Sequence, residues 1–113
     1  GAVELLFELS GPGVPFELQL DHPTVRLGVV SDETGVWIRH EDGRDGPSPL
    51  YIAKDAKASR VRIFLDYGSM EVFVNRGRYV GTKRIEGFEP VRSAILRAEP
   101  GTVTHATIWA LKL

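Results

Sequence analysis

Two carboxylates, Asp66 and Glu71, flank a short turn near the middle of the chain. A carboxylate pair about 5–5.5 Å apart is the equipment of a retaining glycosidase. That chemistry needs one acid of raised pKa beside an ionised partner. Nothing around these two supplies such a contrast. Asp66 ends one apolar run and Glu71 lies inside the next, so Asp66 is expected to accept turn amides and Glu71 to pair across strands with Arg62 or Thr82. No catalytic residue is expected in the chain.

The other reactive side chains are scattered. His22, His40 and His105 have no ligand spacing and the chain has no cysteine, so neither a metal site nor a cofactor is expected. Ser10, Ser31 and Ser48 sit in turn-like stretches without a nucleophile-elbow motif. Gly11 and Gly13 precede no Lys-Ser/Thr pair and no helix, so they cradle no phosphate.

Aromatic residues offer a different chemistry, because sugar rings stack on them. Trp37 shares a strand face with Arg39 and Glu41, opposite Val36, Ile38 and His40. Three uses stay open for it: packing on a neighbouring domain, plain sheet surface, or sugar contact. Phe64 and Phe73 fall on the polar side of their strands, which implies a covered face. Trp37, Arg39, Phe64 and Phe73 are therefore the candidate residues for carbohydrate or interdomain contact. Trp109 alternates with Thr107 and Leu111 and reads as core or inter-sheet filler.

The elements that position these residues all have period two. Val3, Leu5, Phe7 and Leu9 share one face, with Glu4 and Glu8 on the other. Similar runs cover 16–20, 25–30, 36–41, 50–53, 60–65, 70–74, 79–85, 93–98 and 103–113, separated by clusters such as Gly11-Pro12-Gly13 and Glu99-Pro100-Gly101. Only Ala53–Ser59 has helical composition, and it is too short to nucleate a helix unaided. Ten short strands predict an all-β sandwich or barrel. No longer repeat points to a propeller or solenoid.

One register can be derived. Folding Arg60–Val74 about Asp66–Ser69 sets Leu65 opposite Met70, Ile63 opposite Val72 and Val61 opposite Val74, all apolar and on one face. A one-residue slip would mix the faces. Asn75-Arg76-Gly77 then suits a three-residue loop with Gly77 in the left-handed conformation.

The 113 residues amount to a single domain. Net charge is −1, from 14 basic and 15 acidic residues. The densest basic group, Arg76, Arg78, Lys83 and Arg84, is balanced elsewhere, so no nucleic-acid partner is expected. No apolar run reaches the roughly 18–20 residues of a membrane span. The chain opens at Gly1 without methionine, as expected of an excised piece, and its composition leaves the cellular compartment open.

The segment RVRIFLDYGSMEVFVNRG (60–77) resembles the signature of the C-terminal module of glycoside hydrolase family 32, the invertase and fructanase family. Asp66, Ser69, Glu71, Val72, Phe73, Asn75 and Gly77 match it; Tyr67 and Gly68 depart from it. Gly81–Ile85 is similar to the family's next strand, and the closing Ile108–Leu113 to its last. The resemblance covers 60–113 well and 1–59 only in strand spacing. It implies an all-β, two-sheet antiparallel β-sandwich of the concanavalin or lectin type, spanning 1–113 and excised from a larger hydrolase. It makes Asp66, Ser69, Glu71, Asn75 and Gly77 a structural motif. It also implies a partner, the five-bladed catalytic propeller. The propeller's Asn-Asp-Pro, Arg-Asp-Pro and Glu-Cys motifs do not occur here. The expected function is thus a non-catalytic accessory domain of a β-fructofuranosidase-like hydrolase of sucrose or fructans, with a homo-oligomer within the family's range. The alternatives are a free-standing lectin-like domain binding fructan or sucrose-type sugars, and an unrelated galectin-like or laminin-G-like sandwich.

Overall fold

Period-two patterning becomes ten strands in the computed structural model, which describes residues 2–22, 25–41, 50–66, 68–84 and 93–111. They are β1 (Ala2–Leu9), β2 (Phe16–His22), β3 (Val25–Asp32), β4 (Gly35–Glu41), β5 (Leu50–Lys54), β6 (Arg60–Asp66), β7 (Ser69–Val74), β8 (Tyr79–Arg84), β9 (Ser93–Ala98) and β10 (Val103–Leu111). Among the described residues all regular structure is β, including 53–59, where β5 gives way to coil. Ile85, Lys112 and Leu113, included in the strands expected from the sequence, lie outside the described residues.

Two five-stranded antiparallel sheets result, ordered β10-β1-β6-β7-β8 and β5-β4-β3-β2-β9. The meander register matches the expectation pair for pair: Val61 faces Val74, Ile63 faces Val72 and Leu65 faces Met70. Those six side chains turn inward and are buried. Leu5 and Phe7 of β1 join them from the first sheet, and Leu18, Leu20, Leu27, Val29, Val36 and Ile38 from the second. Fully burying each such aliphatic or aromatic side chain is worth about 1.5–3 kcal/mol. The alternation that writes the strands therefore also builds the core.

The sandwich closes differently at its two edges. Where β5 meets β8, Gly81 packs so closely on Ile52 that a Cβ there would collide with the isoleucine side chain. At the other edge the register turns Leu96 of β9 and Ile108 of β10 toward the inter-sheet side, yet they are 39% and 67% exposed. The core is sealed along β5/β8 and open along β9/β10.

The turns carry their own chemistry. Asp32 Oδ1 accepts the Thr34 amide at 2.7 Å and the Thr34 hydroxyl at 2.5 Å, which shapes the β3–β4 turn. The β7–β8 turn holds three consecutive left-handed residues, Asn75 (φ 53°), Arg76 (φ 62°) and Gly77 (φ 81°). Gly77 was expected there and Asn tolerates the region. Arg76 instead pays roughly 1–2 kcal/mol for its Cβ. Asn75 also ties the turn to the start of β6: its Oδ1 accepts the amides of Ser59 (2.8 Å) and Arg60 (3.3 Å), and its Nδ2 donates to the Lys57 carbonyl (2.9 Å).

Two expectations are corrected. Trp109 is not core filler: opposite Glu4 on edge strand β10, it lies on the outer face and is 40% exposed. The inward positions of β10 belong to Ala106 and Ile108, set opposite Phe7 and Leu5. Of the two partners expected for Glu71, Arg62 pairs with Glu4 of β1 instead, while Thr82 does sit opposite Glu71. Glu4 and Glu71 both sit opposite Phe64, each one diagonal step from Arg62 on a neighbouring strand, and the guanidinium turns to Glu4.

Candidate functional site

Outward-facing side chains make two separate surfaces, one per sheet. On the β5-β4-β3-β2-β9 sheet, Trp37 faces Tyr51 across β4–β5, with ring centroids 5.7 Å apart at 45°. The Lys54 ammonium lies 5.8 Å from the Tyr51 centroid. Beside Trp37 on β4, Arg39 reaches across the whole of β3 to form an ion pair with Glu17 of β2. The bridge passes over Gly28, where a Cβ would come within 3.0 Å of Glu17 Oε1. The missing side chain at Gly28 leaves room for the pair to cross, and a Cβ there would crowd the Glu17 carboxylate.

Further along this face, Asp21 accepts from Arg26 Nε at 3.0 Å, Ser93 Oγ at 3.1 Å and Gln19 Nε2 at 3.4 Å. Desolvation pushes its carboxyl up, but the hydrogen bonds from Ser93, Arg26 and Gln19, with the Arg26 charge, outweigh it and hold the pKa below its ordinary value. The surface thus sets an aromatic pair next to a field of planar hydrogen-bonding groups. Such a surface can take the apolar face of a ring on Trp37 and the hydroxyls of that ring on charged neighbours.

The outer face of the β10-β1-β6-β7-β8 sheet is more apolar. One row across it reads Trp109, Glu4, Phe64, Glu71, Thr82, and the next reads Thr107, Leu6, Arg62, Phe73, Val80. Phe64 and Phe73 meet edge to face at 5.9 Å and 77°. The Arg62 guanidinium lies 5.8 Å from the Phe64 centroid while pairing with Glu4. Val80 is 53% exposed. A solvated sheet face alternates to polar residues, so this concentration of apolar surface is what a partner would cover.

The four residues singled out from the sequence are therefore split. Trp37 and Arg39 lie on one outer face, and Phe64 and Phe73 on the other. Within the motif, Asp66 sits opposite Ser69 at the hairpin end, and Glu71 lies between Phe64 and Thr82. Among the described residues Glu71 has no ion-pair partner, and no three His, Asp or Glu side chains come together. His105 is exposed, opposite Glu8 on β10. Sequence reasoning missed Glu17, Gly28 and Tyr51. Their relation to Trp37 depends on strands pairing in the order β5-β4-β3-β2, which no local pattern announces.

Two antiparallel sheets packed face to face, with an aromatic and charged outer surface, define a sandwich of the lectin type. Among solved structures it is similar to the crystal structure of Caenorhabditis elegans galectin LEC-6, with a TM-score of 0.54, 14% identity, and coverage of 96% of this chain and 81% of that one. At that identity the likeness is one of fold. No curated protein matches. The family described as glycosyl hydrolases family 32 C terminal matches residues 14–110, and the chain belongs to it. That agrees with the resemblance carried by Asp66, Ser69, Glu71, Asn75 and Gly77, and extends it through β2–β5.

Proposed function

We propose that the chain is a non-catalytic accessory module of a β-fructofuranosidase-type glycoside hydrolase, seated beside the catalytic propeller and stabilising it. Membership of the family 32 C-terminal group over 14–110 carries this reading. The apolar outer face of Phe64, Phe73, Val80 and Trp109 supports it, because such a face is stable in water only at a cost that a docked domain removes. Asp66 and Glu71 serve the hairpin, and the chain alone releases no fructose from sucrose, inulin or levan.

The test is association with a separately produced propeller. Val80→Lys sits on an exposed edge strand, so it leaves the module folded and weakens its binding. In the full enzyme it shortens the thermal half-life while turnover stays within about threefold, less than 1 kcal/mol of barrier. Unchanged association together with unchanged half-life would overturn the proposal.

A second reading rests on the Trp37–Tyr51 pair beside the Arg39–Glu17 bridge: glycan binding on the other outer face. The similarity in fold to galectin LEC-6 makes this reading apt. Trp37→Ala decides it. Loss of retention on immobilised fructan by a folded variant establishes the glycan reading, and retention equal to that of the parent chain excludes it.

A further inference from the structure

The β7–β8 turn places Arg76 in the left-handed region, where Gly or Asn sits without strain. Strain of this kind persists where a side chain is needed at a fixed place. Arg76 borders two adjoining concavities at the turn end of the apolar outer face. The first, about 380 Å³, is lined by Arg60, Arg62, Phe73, Arg76 and Gly77. The second, about 460 Å³, shares Arg60 and Arg76 and adds Glu8, Ser59 and Thr104 among its walls.

Charge is distributed unevenly around them. Among the described residues three arginines line the first concavity and no acidic residue does. Arg62 is already compensated by Glu4. Among the described residues neither Arg60 nor Arg76 has an acidic partner, and Arg60 is half-buried. A partly desolvated, unpaired guanidinium is costly, and like charges sharing one concavity repel. An anion placed between them relieves both costs, and the planar donor fork of arginine suits carboxylate or phosphate oxygens. Phe73 gives the same space an apolar wall. In the second concavity Glu8 excludes another anion but accepts hydroxyl groups, with the Ser59 and Thr104 side chains close by.

We propose that this end of the sheet binds a small polyol bearing a single anionic group, a sugar phosphate or a sugar acid. The anion meets Arg60 and Arg76, the body of the ligand lies on Phe73, and its hydroxyls extend toward Glu8. The volume suits a molecule of that size and is too small for an acidic domain surface. The site is distinct from the Trp37 face, but it shares Phe73 with the outer face proposed above to receive a propeller, so its binding is measured on the chain alone. Asn75 lies in the turn but is committed to backbone groups, so it positions the turn and does not bind.

Calorimetric titration of the chain with glucose 6-phosphate, glucuronate and glucose tests this. At least one of the two anions is expected to bind saturably with Kd of about 1 mM or tighter, glucose at least about tenfold more weakly, and salt should weaken the anion further. Which anion binds distinguishes phosphate from carboxylate as the group recognised. Arg76→Gly relieves the left-handed strain, so it is expected to keep or raise the denaturation midpoint while weakening binding about tenfold or more. Arg60→Gln is expected to weaken it comparably. No saturable binding of either anion, equal binding of glucose, or anion binding that survives both arginine variants overturns the proposal.

Discussion

Replacing Asn75 with alanine removes three hydrogen bonds at once, those to the Ser59 and Arg60 amides and to the Lys57 carbonyl. Each typical intramolecular hydrogen bond contributes about 0.5–1.5 kcal/mol net, and the 3.3 Å contact belongs at the low end. Alanine must also hold φ near 53°, where asparagine is tolerated and a plain Cβ is not. Together these amount to about 2–4 kcal/mol, or a melting point lowered by about 10 °C or more for a domain of this size. Asn75→Gly loses the same bonds but relieves the dihedral, so it should be less destabilising than Asn75→Ala. Asn75→Asp keeps an acceptor for the two amides and loses only the donor, and should be milder again. Urea denaturation of the three variants reads this order directly. An Asn75→Ala chain within about 0.5 kcal/mol of the parent would refute the account of the turn.

Two further outcomes follow from the packing and electrostatics. Because the folded Asp21 carboxyl has a lowered pKa, its contribution is complete above the unfolded value near 4 and fades as pH falls through the folded value. The stability gap between the parent chain and Asp21→Asn should thus narrow on acidification, as urea midpoints at successive pH values would record; a constant gap contradicts it. Gly81→Ala forces a methyl group into Ile52 and should cost about 1–3 kcal/mol. Adding Ile52→Ala should recover part of that loss, a coupling visible in a double-mutant cycle.

The hairpin motif illustrates how far local pattern reaches. Val61, Ile63, Leu65, Met70, Val72 and Val74 admit one register that keeps a single apolar face, and that register is present. Asn75 was legible as part of a turn. Its hold on Ser59 and Lys57 was not, because those bonds run between a turn and a coil distant in sequence. Arg76 reads in sequence as one member of a diffuse basic group. Only its left-handed backbone and its nearness to Arg60 distinguish it from Arg78, whose guanidinium lies 5.9 Å from the Tyr79 ring centroid.

By itself the sequence determined the strand class, the strand limits to within a few residues, the meander register and the family signature, all properties of residues adjacent in the chain or across one turn. Tertiary structure decided which strands are neighbours: β1 between β10 and β6, and β9 beside β2. That order gave Arg62 its Glu4 partner, carried Arg39 over Gly28 to Glu17, and set Trp37 and Phe73 on opposite surfaces. Trp109 shows the physical reason. A period of two sorts a strand into two faces but does not say which is inside, and on an edge strand with small or exposed residues on both faces, only pairing with β1 settles it.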